Sequence, residues 1–149
     1  MDLAMRMAVA NPEMSNPLES PAFVMIDEVD LHLHPTWQYR VINDLLRTFP
    51  NTQFVITTHS PFIAESINNH LQRDIINKYP DSDHIESAIQ KLLPLNKESC
   101  KAYLMQEGEA ENLYDEDAGL LKDHLMQTYN QINRDYERMR DIEWDNRTV

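Results

Sequence analysis

Between residues 22 and 68 the chain alternates two apolar patterns. "AFVMI" (22–26) is an unbroken apolar run, bounded by Pro21 and by two carboxylates. It predicts a strand buried on both faces, as in a parallel sheet. From Pro35 onward, Trp37, Val41, Ile42, Leu45, Leu46 and Phe49 recur at i, i+4, i+5, i+8, i+9 and i+12. That is the apolar stripe of a helix, and Pro35 suits its first position. "QFVIT" (53–57) predicts a second buried strand, and Pro61 opens a second helix that runs through about Asn68. A strand–helix–strand–helix unit is nearly always a right-handed crossover between parallel strands. Residues leaving the C-terminal ends of the two strands then share one edge of the sheet, where open α/β sheets bind ligands.

The flanks are less regular. "DLAMRMAVA" (2–10) reads as a helix with Leu3, Met7 and Ala10 on its apolar side. It begins without a cap, as expected of a chain that starts partway through something larger. "NPEMSNPLESP" is a loop. Residues 70–93 read as helical with a break at "YPDSD" (79–83). "KAYLM" (101–105) and "ENLY" (111–114) form a candidate hairpin turning at Gly108. A long helix is expected from Asp117. Its Leu121, Leu125, Tyr129, Ile132, Tyr136 and Met139 make a narrow stripe near period 3.5, suited to internal packing or to a docking seam. The final "DNRTV" is expected to fray.

Bulk properties narrow the choices. A chain of 149 residues with 42% apolar content holds one domain of ordinary size. A net charge of −12 argues against gripping nucleic acid with its own surface, which needs clustered Lys and Arg. Nucleic acid reached through a larger assembly stays open. Cys100 stands alone, so the default compartment is reducing and the expected location cytoplasmic. No apolar run approaches the roughly 20 residues of a membrane span. Ala8-Val9-Ala10 mimics a signal cleavage site, but no apolar segment precedes it and Arg6 interrupts the stretch.

The chemistry concentrates in "IDEVDLHLHP" (26–35) and "TTHSP" (57–61). An apolar strand ending in Asp-Glu is the Walker B pattern. Its first carboxylate is fixed where it can hold Mg²⁺, and its second where it can orient or deprotonate an attacking water. A histidine on the next strand edge can donate a hydrogen bond to a γ-phosphate. Asp27, Glu28 and His59 match these roles. A rival uses the same residues. His32-x-His34 on an extended segment points both imidazoles one way, and Asp27, Asp30 or His59 could complete a metal-dependent hydrolase site. That rival needs further ligands, and only His70, His84 and His124 remain, in expected helices. Blander roles also stand: His34 or Ser60 as helix caps, Asp30 as a turn residue, and the whole chain as a non-catalytic acidic interaction module.

"FVMIDEVDLHLHPTWQYRVINDLL" together with "TQFVITTHSPFIAES" resembles the C-terminal half of an ABC-type ATPase domain. The closest likeness is to the AAA-labelled ATPases of the RecF, OLD and SMC-like group, several of which serve bacterial phage defence or retrons. The likeness is strong over residues 20–65 and looser around 107–121. It implies a partial P-loop NTPase fold: an α/β parallel sheet with flanking helices and a helical C-terminal segment. It implies ATP and Mg²⁺, with Asp27 as the metal carboxylate, Glu28 as the catalytic glutamate and His59 as the γ-phosphate switch. Asp30, His32 and His34 would lie in a D-loop-like segment facing a second subunit. Residues 1–68 would be the C-terminal lobe of the ATPase core and residues 69–149 an extension of the same domain.

The family also uses a glycine-rich Walker A loop and a glycine-containing signature motif. Gly108 and Gly119 are the only glycines here, so neither motif is present. Both are expected N-terminal to residue 1, leaving a lobe inactive alone. The partners implied are a second copy or a complementary N-terminal half, and a nuclease or other effector.

Overall fold

The computed structural model describes residues 3–79, 87–122 and 126–147. The chain is a mixed α/β protein built on a small parallel sheet. Helix α1 (Leu3–Ala10) leads through a proline-rich loop to strand β1 (Ala22–Ile26). Helix α2 (Pro35–Thr48) crosses to strand β2 (Thr52–Ile56), and α3 (Pro61–Ile76) follows. β1 and β2 pair in parallel with Ala22 opposite Thr52 and Ile26 opposite Ile56. The crossover expected from the sequence is therefore present. Pro35 and Pro61 each open a helix, capped by His34 and Ser60 respectively. Fixed φ and a missing N–H make proline suitable there.

The core lies between α2 and α3, which pack against each other. Ile42, Ile63, Ser66, His70 and Leu71 are buried there. Ser66 donates its hydroxyl to the Tyr39 carbonyl at 2.9 Å, tying the helices together. At the end of α2, Phe49 is buried and meets Phe54 of β2 edge-on, with ring centroids 6.3 Å apart. α3 runs without a break past Asn68 to Ile76, so the helix opened by Pro61 and the start of the helical reading from residue 70 are one element. Its far end carries the rest of the chain. The Leu95 N–H donates to the His70 carbonyl at 3.1 Å.

Burial on both faces of the strands is not what forms. Exposure alternates along β1 and β2, leaving Phe23 at 59% and Met25 at 73%. One face is half-buried and meets the end of α2 through Phe54, and the other stays exposed. Trp37, placed on the apolar stripe of α2 by its spacing, is also exposed.

Beyond a short helix α4 (Ser87–Gln90), strands β3 (Tyr103–Gln106) and β4 (Glu109–Asn112) form the expected antiparallel hairpin turning at Gly108. A second hairpin, β5 (Tyr114–Asp115) with β6 (Leu120–Leu121), was not foreseen. Its turn ends at Gly119, whose φ of +71° favours glycine. Asn68 clamps it to α3, accepting from the Leu121 N–H at 2.7 Å. The long C-terminal helix α5 spans Met126–Arg147 rather than starting at Asp117, because residues 117–121 are taken by this hairpin. The expected break at 79–83 falls largely outside the described residues, and of "DNRTV" the first three residues are helical.

Candidate functional site at the C-terminal edge of the sheet

The two chain segments leaving the sheet stay joined after the strands end. The Thr57 N–H donates to the Ile26 carbonyl at 3.0 Å, and the Val29 N–H donates to the Thr57 carbonyl at 3.1 Å. Two turns follow, closed by Leu31 N–H to Glu28 O at 2.9 Å and Leu33 N–H to Asp30 O at 3.0 Å. Along this path Glu28 takes φ +49° and His32 takes φ +67°. Residues with a Cβ seldom enter this left-handed region. Such strain persists only where surrounding bonds hold it, and it gathers at functional sites.

Two threonines do the holding. The Thr57 hydroxyl accepts from the Glu28 N–H at 2.8 Å and donates to Asp27 Oδ1. A single side chain just past the end of β2 thus fixes the carboxylate of one acid and the backbone of the next. The Thr58 hydroxyl donates to Asp30 Oδ1 and accepts from the Ser60 N–H at 3.0 Å. Gln38, on the first turn of α2, extends the network. Its amide donates to the Leu33 carbonyl at 2.8 Å, and its oxygen accepts from the Ser60 hydroxyl at 2.6 Å. Ser60 in turn caps α3 by accepting from the Phe62 N–H at 3.2 Å. The loop after β1 and the entries to α2 and α3 form one hydrogen-bonded unit.

The structure therefore gathers Asp27, Glu28 and Asp30 at one edge and ties each to the TTHSP segment. His59 lies on that segment, exposed, and no described residue hydrogen-bonds its imidazole. His34 caps α2, its Nδ1 accepting from the Thr36 N–H at 3.3 Å. His32 sits in a left-handed turn, so the extended His-x-His arrangement of the metal-hydrolase reading does not form. Among the described residues, no three His, Cys, Asp or Glu side chains gather as a metal cage. His70 is buried with Nδ1 2.6 Å from the Leu93 carbonyl, and His84 and His124 lie outside the described residues.

Thr57 and Thr58 are candidate-site residues to which the sequence reading gave no role, although it marked the TTHSP segment that holds them. Their signal was available: two hydroxyls immediately after an apolar strand, opposite an Asp-Glu pair on its parallel neighbour.

Electrostatically the edge is acidic. Three carboxylates fall within residues 27–30, and no described Lys or Arg pairs with them. Such a site attracts a cation and repels a bare triphosphate. Asp27 is exposed and spends one carboxylate oxygen on Thr57. A single carboxylate of this kind fits Mg²⁺, which keeps most of its waters and seldom uses an all-protein cage.

Comparison with known proteins agrees with the motif resemblance. Residues 14–65 match the family described as "AAA domain, putative AbiEii toxin, Type IV TA system". The chain is 46% identical over 77 residues to the "Retron Vc95 probable ATPase" of Vibrio cholerae serotype O1 biovar El Tor, covering 52% of this chain and 15% of the relative. It is 48% identical over 68 residues to the "Retron Ec83 probable ATPase" of Escherichia coli, covering 46% and 12%. It is also 44% identical over 43 residues to the "Septu protein PtuA" of Bacillus mycoides (strain KBAB4), covering 29% and 6%. The chain thus spans under a sixth of each of these relatives.

Proposed function

We propose that residues 1–68 are the Walker B and switch-histidine lobe of an ABC-type P-loop ATPase, with residues 69–149 an extension of the same domain. The observation carrying this reading is Thr57, which joins Asp27 and Glu28 from the adjacent parallel strand. In the Walker B pattern the two acids have different tasks, and this bond pattern treats them differently. Asp27, its carboxylate oriented by the threonine, is assigned to Mg²⁺. When bound, the ion neutralises phosphate oxygens. Glu28 has its backbone fixed and its carboxylate left to act as the base that takes a proton from water. His59 donates an N–H to the γ-phosphate. Asp30, His32 and His34 lie on the loop assigned to a second subunit, with His34 also capping α2.

The sequence holds two glycines, so backbone N–H groups that cradle phosphates are assigned to a complementary half. The uncovered apolar strand face, Phe23 and Met25, supports such a partner. Two of the relatives are named as retron ATPases; with the motif resemblance this supports our placing the activity in a phage-defence or retron assembly with a nuclease or other effector, in the cytoplasm. No described helix is long and apolar enough to cross a membrane.

The test is ATP turnover by the assembled enzyme carrying Glu28→Gln. Turnover should fall by about 100-fold or more while MgATP still binds. Unchanged turnover would remove Glu28 from its role. It would leave the second reading, an acidic interaction module that docks through the same uncovered face without catalysis.

A further inference from the structure

The proposed site makes no use of α5. Every residue from Gln131 to Trp144 is exposed, including Ile132 at 62%, Tyr136 at 61% and Met139 at 62%. Isolated helices are marginal in water, and helices in proteins are held mainly by burying an apolar face. These three residues follow the 4-3 spacing of a coiled-coil seam, with Ile132 and Met139 at d and Tyr136 at a. The flanking positions are then fixed. Asp135 and Ile142 fall at g, and Asn133 and Arg140 fall at e.

The flanks discriminate between the two orientations of a second copy. In a parallel pair, g faces the following e of the other helix, so Asp135 meets Arg140 of a second copy, twice by symmetry. In an antiparallel pair, g faces g and e faces e. Asp135 then meets Ile142 or another Asp135, and Arg140 meets Asn133 or another arginine. Only the parallel arrangement pairs opposite charges. The helix is also where two copies can approach. Residues 126–147 hold four arginines and five carboxylates, close to neutral, whereas the whole chain carries −12.

We propose that α5 is a self-association helix, pairing in parallel with α5 of a second copy through Ile132, Tyr136 and Met139, with Asp135 opposite Arg140. Glu143 occupies the next a position, where it would face its own counterpart, and it bounds the seam. The proposal does not rest on the nucleotide reading, since the surface and the site are separate.

The test is sedimentation equilibrium of the intact chain from micromolar to several hundred micromolar. The chain should associate as a dimer. Asp135→Arg and Arg140→Asp should each weaken the dimer by about tenfold, as two exposed ion pairs become two repulsions. An equimolar mixture of the two variants should restore association, because each then supplies the charge the other needs. Glu143→Leu should tighten the dimer. Circular dichroism checks that helix content is retained. Monomer throughout, for both the wild type and Glu143→Leu, overturns the proposal. So does a dimer indifferent to both charge changes, which would place association elsewhere, and so does a mixture no tighter than the single variants.

Discussion

Replacing Thr57 with valine keeps the shape of the side chain and removes one hydroxyl. Two bonds go with it, from the Glu28 N–H at 2.8 Å and to Asp27 Oδ1. A neutral hydrogen bond contributes about 0.5–1.5 kcal/mol and one to a charged group about 1.5–3 kcal/mol. Both groups here are exposed, so water replaces much of what is lost and the lower ends apply. The expected loss is about 2 kcal/mol. Glu28 adds a local effect. Its φ of +49° is a strained conformation worth about 1–3 kcal/mol, which the 2.8 Å bond helps to hold. Without the bond, Glu28 should relax toward ordinary backbone angles.

Urea unfolding of the chain, with Thr57→Ser as control, reads the first effect. The midpoint should fall in the valine variant at unchanged m-value and largely hold in the serine variant, which keeps the hydroxyl. Amide chemical shifts read the second and should move most at Glu28 and Val29. If valine is as stable as threonine, or serine as damaging as valine, the hydroxyl is not what holds the Asp27 carboxylate and the Glu28 backbone, and the clamp argument fails.

Two further outcomes follow from the core. Burial pushes the His70 imidazole below its usual value, against the upward pull of the Leu93 carbonyl. Nε2 is buried without a partner among the described residues, so a proton there would be an unpaired charge. With the folded value below the unfolded one, stability is intact above the ordinary histidine range. It falls as pH drops through the folded value, by about 1.4 kcal/mol for each unit between the two. The urea midpoint should therefore decline on mild acidification, and less so in His70→Gln. A pH-independent midpoint, or an equal decline in the variant, would contradict this. The chain's net charge of −12 shrinks on acidification and acts in the opposite direction, so the variant comparison isolates the histidine. Leu71→Ala, at a site 2% exposed, should cost about 2–5 kcal/mol in the same assay, and a loss under 1 kcal/mol would mean that α3 is not the core helix.

The legible features of the fold were those with a local cause. Proline at the first turn, a capping His34 or Ser60 before it and a 3.6-residue stripe fix where α2 and α3 begin, whatever surrounds them. The parallel pairing followed from chain order. Burial was misread because periodicity reports what a residue would favour, not whether anything is present to cover it. Phe23 and Met25 belong to an apolar run suited to two-sided burial, and in this chain only one side is met. The continuity of α3 was missed for a related reason, although residues from 70 onward were read as helical. Past Asn68 the helix is held by long-range partners, the Leu121 backbone on Asn68 and the Leu95 N–H on the His70 carbonyl, and no local pattern reveals them.

The same distinction explains the site. Asp27, Glu28 and His59 stood out because their residue types carry chemistry. Thr57 and Thr58 did not, because a hydroxyl gains a role only from what lies opposite, and the register of β1 on β2 decides that. A one-residue slip would turn Thr57 to the other face and away from Asp27. The parallel register is therefore part of the chemistry. It brings one hydroxyl to each of two aspartates and leaves the imidazole between Thr58 and Ser60 unbonded, where it is available to a ligand.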